Sequence, residues 1–570
     1  MREYFRKIVF LSLFIGAYIT PKAQVLPVGT PVLEDYYRRL QLIGQVDSTI
    51  SFAIRPLSLS ALQRANVYDA DSSQVYDNSY TSFANGAGKM QVMPVTAQFR
   101  YTSAFPTGWN DGGMIPAVGM QSYLSAGIYA DYKWLSIQFQ PELVLAQNKA
   151  YMGFDGQTRE SWDLWYSYTN HIDMPERFGK GNYTKLLPGQ SSIRVNFDPV
   201  SFGLSTENLW WGPGIRNSLL MSNTAPGFPH LTLNTTRPVH TGVGSFEGQL
   251  VAGRLSNSGY TPTPLGNPYH YDEFYEAKPD DWRYFSGFIV SYQPKWLTGL
   301  SIGASRSFVV NGDDMGSGLG AVLPFFRSGN ISQSDNPDGI MTGEQHKKRD
   351  EYKSVFARWV MPKGKMEFYV EYGRNDPGWD SRDRFVEMDH SRAYIFGFRK
   401  LVPVNESAGE FIDVGLELTQ LDRTRTTTVR QSPTWYISDA VPAGYTHLGQ
   451  ALGAGIGPAG SLQSLNIAWV KGLKKLGVQF ERQEHQLDFF YDAVAYEGDF
   501  RRNWVDISAN ITGNWDCKNF IFFGNLWFIK ALNYQYQLQN GSNNIGAGWW
   551  NFKRMDKFNL QANMGVMYRF

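Results

Sequence analysis

The sequence predicts an all-β fold: a transmembrane antiparallel β-barrel of about 18 strands, preceded by a small N-terminal helical segment. Three observations predict it. The last thirteen residues alternate with a period of two. Short and long connections alternate along the chain. Aromatic residues make up 15% of 570 residues and glycine numbers 56, yet mean hydropathy is −0.34. A helical membrane protein does not combine these values, whereas a barrel does, because only alternate strand residues face lipid and aromatic belts mark both interfaces.

At the N-terminus, Arg2, Arg6 and Lys7 precede an apolar run from Ile8 to Ile19, and Ala23 offers a small residue before Gln24. This reads as a secretory signal peptide over residues 1–23. About twelve apolar residues are too few to cross a bilayer, which needs around twenty. Residues 24–89 form the next expected unit, a periplasmic helical segment. Leu33, Tyr36, Tyr37, Leu40 and Ile43 recur at helical spacing, and the stripe ends near Gly44. A second short helix is expected after Ser58, through Leu59, Leu62 and Ala65. Helices this short are marginal in water without packing, so both should pack on the periplasmic mouth of the barrel.

Residues 90–570 are read as the barrel. Tight turns are expected at Tyr132–Trp134, Asp198-Pro199, Val239–Val243, Pro294–Thr298, Met361–Gly364, Leu401–Gly409, Gly472–Lys475 and Asp516–Lys518. Each lies between alternating runs, and Pro, Gly, Asn and Asp supply the turn geometry. Between the hairpins lie long polar stretches at about 147–189, 254–283, 309–352, 432–462 and 533–557, which read as outer loops. Eight hairpins, an opening strand near Met90–Ser103 and a closing strand at Phe558–Phe570 make eighteen. An even number lets the first and last strands pair and removes the sheet edge.

In the closing strand, Phe558, Leu560, Ala562, Met564, Val566, Tyr568 and Phe570 share one face. Asn559, Gln561, Asn563, Gly565, Met567 and Arg569 share the other. A greasy face toward lipid and a mostly polar face toward a lumen is the signature of a barrel strand. It looks like the C-terminal signal strand of outer-membrane proteins, whose final Phe is read by the barrel assembly machinery.

Composition also excludes classes. One cysteine, Cys517, allows neither an internal disulfide nor a cysteine metal cluster. A net charge of +1 gives no reason to expect nucleic acid. The eight histidines are scattered without metal spacing, and no Gly-x-Ser-x-Gly elbow occurs. Asp313-Asp314 and Asp335–Gly339 lack the ligand spacing of an EF-hand. No metal, cofactor or catalytic site is therefore expected, although a membrane phospholipase would assemble its residues from distant strands.

The strand after Asp198-Pro199 leads into Asn208-Leu-Trp-Trp-Gly-Pro-Gly-Ile215 and then Ser218-Leu-Leu-Met-Ser-Asn-Thr-Ala-Pro-Gly-Phe-Pro229. Here the chain resembles the capsule assembly Wzi family, through Trp210 to Gly214, Ser218 to Leu220, Ser222-Asn223, Ala225, Pro226 and Pro229. A second block, His390-Ser391-Arg392-Ala393-Tyr394 leading to Gly397, adds to the likeness. Thr224, Gly227 and the length of 309–352 depart from it. The resemblance implies an outer-membrane protein that attaches capsular or extracellular polysaccharide to the cell surface, lectin-like and without catalysis. Its partners would be that polysaccharide, outer-membrane lipid and the barrel assembly machinery. A substrate-selective channel is the competing reading, since fold does not fix function.

The block Trp210, Trp211, Gly212, Pro213, Gly214, Ser218, Asn223, Pro226 and Pro229 has two physical readings. The two indoles offer flat faces for sugar C–H groups. Alternatively the segment tucks into the barrel as a plug with the tryptophans as its core, the reading that a fixed Gly-Pro-Gly pattern favours. Lys347, Lys348 and Arg349, with Arg423 and Arg425, would meet an anionic sugar through charge-assisted hydrogen bonds. More often such runs are solvated surface.

Overall fold

The computed structural model describes residues 24–64, 66–71, 80–156, 159–263, 272–326, 348–376, 381–425, 432–495, 500–539 and 553–570. The signal-peptide reading of 1–23, Ala65 of the second helix, and residues 327–347 of the loop 309–352, Lys347 included, lie outside the described residues.

Among the described residues, eighteen antiparallel strands close into a barrel. They are β1 Gly88–Thr102, β2 Gly119–Tyr132, β3 Leu135–Phe139 continued by Glu142–Ala146, β4 Tyr183–Leu187 continued by Ser192–Phe197, β5 Val200–Ser205 and β6 His230–Thr235. Then follow β7 Gly244–Leu255, β8 Arg283–Pro294, β9 Leu300–Asn311, β10 Arg349–Met361, β11 Met366–Arg374 and β12 Arg392–Asn405. The wall ends with β13 Glu410–Gln420, β14 Ser461–Lys471, β15 Lys474–Glu484, β16 Val505–Cys517, β17 Phe520–Leu532 and β18 Lys557–Tyr568. β18 pairs back to β1, with Gln561 opposite Thr102 and Tyr568 opposite Val95.

Each of the eight expected turn regions contains a reversal between neighbouring strands, but β12 runs on through Leu401 to Asn405, so the turn expected at Leu401–Gly409 is confined to Glu406–Gly409. The interruptions in the wall also have a cause in sequence. β1 slips register between Met93 and Thr96, around Pro94. β3 breaks at Gln140-Pro141, and β4 breaks between Leu187 and Ser192, where Pro188 lies. Proline has no N–H to give to a ladder.

Alternation sorts the wall into two faces. In β18 and the two residues after it, Asn559, Gln561, Gly565, Met567 and Arg569 are buried inside, while Phe558, Met564 and Phe570 are exposed outside. Phe202, Leu204, Leu231, Leu233, Val355, Val370, Ile467, Val478, Ile507 and Ile511 continue the exposed apolar band. Trp134, Trp296, Trp359 and Trp515 stand near its short-turn rim. A continuous apolar outer surface is a lipid-facing belt. No helix among the described residues is long and apolar enough to cross a membrane.

Helix α1 spans Pro31–Leu42, with proline in its first turn, Glu34 at the N-terminal end and Arg39 in the last turn. It lies in the short-turn end of the barrel. Leu33, Tyr37 and Leu40 pack with Met93, Leu473, Ile521 and Met567, and Leu42 with Val360, Leu401 and Val470. Helix α2, Leu59–Leu62, is one turn, and the Ser58 hydroxyl caps it by accepting from Ala61 N–H.

Two expectations change. Residues 24–89 are not only helical: Tyr80–Phe83 is a strand paired with the start of β1, and Val25–Leu26 pairs with Leu57–Ser58. The stretch 432–462, expected as a polar outer loop, turns inward instead. Trp435, Tyr436, Tyr445, Leu452 and Ala454 are buried within the barrel core. Their aromatic bulk outweighs the surrounding glycines, which let the chain fold tightly against its neighbours.

Candidate functional site

β5 and β6 are only six residues each because the chain leaves the wall after Ser205 and returns at His230. The 24 residues between them enter the lumen. Trp210–Trp211 pairs antiparallel with Ile54–Arg55 of the N-terminal segment. Both indoles are buried. The Arg55 guanidinium lies 4.1 Å from the Trp210 ring centroid, and Trp210 Nε1 donates to Gly212 O at 3.2 Å. Burial pulls the Arg55 pKa down to about 10 against the pull of Glu34, so it stays charged at neutral pH. Trp211 Nε1 donates to Gln249 Oε1 of β7 at 2.8 Å, and its ring lies so close to Gly287 of β8 that a Cβ there would sit 2.9 Å from it.

The Gly-Pro-Gly turn is held on both sides. Gly212 has φ +141°, and a Cβ on it would meet Glu371 Oε2 at 2.6 Å and Ser218 Oγ at 2.7 Å. Its N–H donates to Ala53 O at 2.9 Å. Pro213 O accepts from Arg38 of α1 at 2.8 Å. A Cβ on Gly214 would lie 2.0 Å from Asn217 O, so only glycine permits this close approach.

Three successive backbone N–H groups then converge on one carboxylate of β13. Ile215 N donates to Glu417 Oε2 at 2.7 Å, Arg216 N bridges both oxygens at 3.1 and 3.0 Å, and Asn217 N reaches Oε1 at 2.8 Å. Tyr369 of β11 donates its hydroxyl to Oε2 at 2.8 Å. Glu371 receives Ser354 Oγ at 2.8 Å and Leu219 N at 3.4 Å. The Ser218 hydroxyl donates to Trp211 O.

Further along, Asn223 Nδ2 donates to Asn110 O at 2.9 Å, and its carbonyl accepts Gly112 N at 2.7 Å. This joins the segment to the loop 103–118, which also bends inward. Ser222 N donates to Leu452 O at 2.7 Å, and Tyr436 donates its hydroxyl to Leu219 O at 2.7 Å. Pro226 is buried, while Pro229 is exposed and its carbonyl accepts Arg254 N at 2.9 Å. Four separate stretches, 24–71, 103–118, 206–229 and 432–460, thus interlock inside the wall.

Buried ion pairs fix this assembly to the strands. Arg38 of α1 meets Glu367 of β11 at 2.8 Å, and Arg358 of β10 meets the same carboxylate at 2.6 Å. Arg399 of β12 lies between Asp35 of α1 and Asp413 of β13, at 2.5 and 2.7 Å. Burial alone would raise the Asp35 carboxyl, but Arg399, Lys475 and Arg39 outweigh it and hold the group well below the usual carboxylate range. Arg194 pairs with Glu207 at 2.5 Å and Arg216 with Glu481 at 2.7 Å. Most of these charges are removed from water, with Arg216 and Asp35 only partly so, and each buried member depends on its partner.

Among the described residues, the basic ones singled out from sequence do not come together with this block. Lys348 is exposed and pairs with Asp314 at 2.8 Å. Arg349 is buried, with its guanidinium 4.8 Å from the Phe308 ring. Arg423 pairs with Asp492, and Arg425 stacks 3.7 Å over Tyr491. Nearby Asp488 is pushed up to about 6 by burial, against the pull of Arg423.

Sequence reading missed Arg38, Arg55, Glu367, Glu371, Arg399, Asp413 and Glu417. The strand members among them carried a usable signal: a charge on the inward register of an otherwise apolar strand requires a partner in the lumen.

The model of the family described as capsule assembly protein Wzi matches residues 92–530. No curated protein matches the chain. Among solved structures, the chain is similar to Wzi of Escherichia coli, described as an outer membrane protein involved in group 1 capsule assembly and as a carbohydrate-binding β-barrel. Identity is 13%, the match covers 96% of this chain and 100% of that one, and the TM-score is 0.57. OccAB2 of Acinetobacter baumannii matches at 9% identity over 84% of this chain and 98% of its own, with a TM-score of 0.39. OprD of Pseudomonas aeruginosa matches at 8% over 86% and 96%, with a TM-score of 0.38. The last two scores are too low to bear on function.

Proposed function

The chain belongs to the capsule assembly Wzi family, and from that membership we propose that it is an outer-membrane surface protein that holds capsular or extracellular polysaccharide at the cell surface by binding, without catalysis. The observation that supports this reading is the interlocked filling of the barrel. Trp210, Trp211 and the Gly-Pro-Gly turn serve as the core of a plug, and an anchor needs a rigid barrel more than an open one. Residues 1–23 serve as the export signal. Residues 24–89 close the periplasmic mouth, and 90–570 form the membrane unit. Outer-membrane lipid surrounds the apolar belt, and the barrel assembly machinery reads the closing strand.

The test separates bound from shed polysaccharide on cells with and without the chain. Loss of the protein should leave total polysaccharide unchanged and move it from the cell pellet to the medium. Equal retention in both strains would overturn the reading. Conductance of the purified barrel in planar bilayers, in steps as large as those of an open porin, would favour a channel instead.

A further inference from the structure

The plug does not fill the barrel evenly. Against β7 to β13 the inward side chains are sealed: Val251, Phe285, Tyr352, Glu371, Ile395 and Asp413 are all fully or almost fully buried. Against β16, β17, β18 and β1 several inward side chains stay partly exposed, Thr512, Asn525, Trp527, Asn563 and Gln98 among them, beside buried ones such as Asn510 and Gln561. A cleft of about 430 Å³ runs there between plug and wall. That volume lies within the range of about 300–1,000 Å³ of small-ligand pockets.

Its chemistry is distinctive. Amides and hydroxyls are prominent on the wall side, among them Gln98, Asn510, Thr512, Asn525 and Asn563, and three indoles border the cleft: Trp527 from β17, Trp109 from the inward loop 103–118 and Trp210 from the plug. Most charges along it are paired, Arg216 with Glu481, Arg100 with Asp111, Arg55 with Glu34 and Arg399 with Asp35, while Glu142 accepts from the Gln190 amide. Asn510 is 4% exposed, lines the cleft and sits directly opposite Trp527 in the β16–β17 ladder. Its Oδ1 has no hydrogen-bond partner, and neither has Asn525 Oδ1. Buried amide oxygens are ordinarily paired, so these acceptors await a donor. Side-chain amides that donate and accept, beside flat ring faces and with most charges paired, match a neutral polyhydroxylated molecule.

We propose that this half-lumen cleft is an internal saccharide-binding site that takes a short neutral stretch of glycan, with Trp527 stacking on a sugar face and Asn510 and Asn525 accepting its hydroxyls. The proposal rests on the polysaccharide reading above and adds where the sugar sits, inside the wall rather than on the outer loops.

The probe is a size-fractionated set of oligosaccharides released by mild acid from the surface polysaccharide of the same cells, titrated calorimetrically into the purified full-length barrel. Wild type should bind short fragments. Thr512→Trp, which fills the cleft, should weaken binding at least tenfold while heat-modifiable mobility and melting stay unchanged. Trp527→Ala truncates a half-exposed ring and should weaken binding by a similar factor, which guards against misfolding of the filled variant. If both variants fold and bind fragments as wild type does, the sugar sits elsewhere: the internal site is overturned while surface retention stands. If wild type binds no fragment of any size, the internal site is likewise overturned, and the retention assay alone decides the broader reading.

Discussion

Replacing Glu417 with Gln changes one oxygen to an amide nitrogen and almost nothing in volume, so it isolates the electrostatic hold of the wall on the plug. Both oxygens are in use: Oε2 accepts Ile215 N, Arg216 N and Tyr369 Oη, and Oε1 accepts Asn217 N with a share of Arg216 N. Whichever way the amide turns, its NH₂ faces at least one backbone donor that has no other acceptor nearby. Hydrogen bonds to a charged group contribute about 1.5–3 kcal/mol each, and a buried donor left unpaired costs about 1–3 kcal/mol. These terms overlap, so the expected loss is about 3–5 kcal/mol, the range for removing one partner of a buried charged contact. The wall strand itself keeps its ladder, so the loss should appear in the plug. Hydrogen exchange of the Ile215, Arg216 and Asn217 amides in the purified barrel should accelerate by more than a hundredfold, and proteolysis within 206–229 should become detectable. Unchanged exchange at all three amides in Glu417→Gln would refute the carboxylate cradle.

Trp211→Ala should lose about 3–5 kcal/mol, as large buried aromatic truncations do, and let small solutes leak through the barrel; full melting stability with a tight barrel would contradict a core role. Asp35→Asn should destabilise docking of α1 by about 3 kcal/mol at neutral pH. Because the folded Asp35 pKa is depressed, its contribution is complete above the unfolded value of about 3.9 and is lost as pH falls toward the folded one. The difference in melting between wild type and Asp35→Asn should therefore hold from pH 8 to about 5 and shrink only below about pH 4; a gap that closes near pH 6 would argue against the assigned partners. Deleting Phe570, whose ring packs edge-on to Tyr568 at 5.0 Å, should reduce assembled, heat-modifiable barrel in the outer membrane without reducing export. Epitope tags at Pro362–Gly364 should be silent on intact cells, tags near Gly316–Gly318 should be stained, and a tag at Leu448-Gly449 should lower barrel yield because that stretch is packed inside.

The wall was legible because each strand announces itself locally. Ile193, Val195 and Phe197 alternate before Asp198-Pro199, and lipid exposure on one face enforces that alternation wherever a strand crosses. The plug was not legible in the same way. A segment folded into the lumen carries the same Gly, Pro and Asn as a solvated loop, because both must turn tightly. Residues 432–462 therefore predict an outer loop from sequence, although Trp435, Tyr436 and Tyr445 are fully buried. The partners were hidden by distance: Arg38 and Glu367 are 329 positions apart, and no local pattern links them. The Trp-Trp-Gly-Pro-Gly block stood out because its glycines answer to contacts on both sides of the chain.

The buried charges explain why the plug has one seating. An ion pair removed from water contributes little net stability, but leaving either member alone costs several kcal/mol. Asp35 and Arg38 are three residues apart and so share a face of α1. From that face they reach neighbouring strands, Arg399 on β12 and Glu367 on β11. Shifting the helix by one residue turns this face by about 100° and strands both charges together, along with their wall partners. Apolar packing of Leu33 and Tyr37 would tolerate several nearby seatings; the paired charges reject them. The same logic acts at Glu417, where only the backbone geometry set by Gly214 presents three donors at once. The plug is thus positioned by what misplacement would leave unpaired, and the uneven cleft on the far side is what remains once it is drawn against β7 to β13.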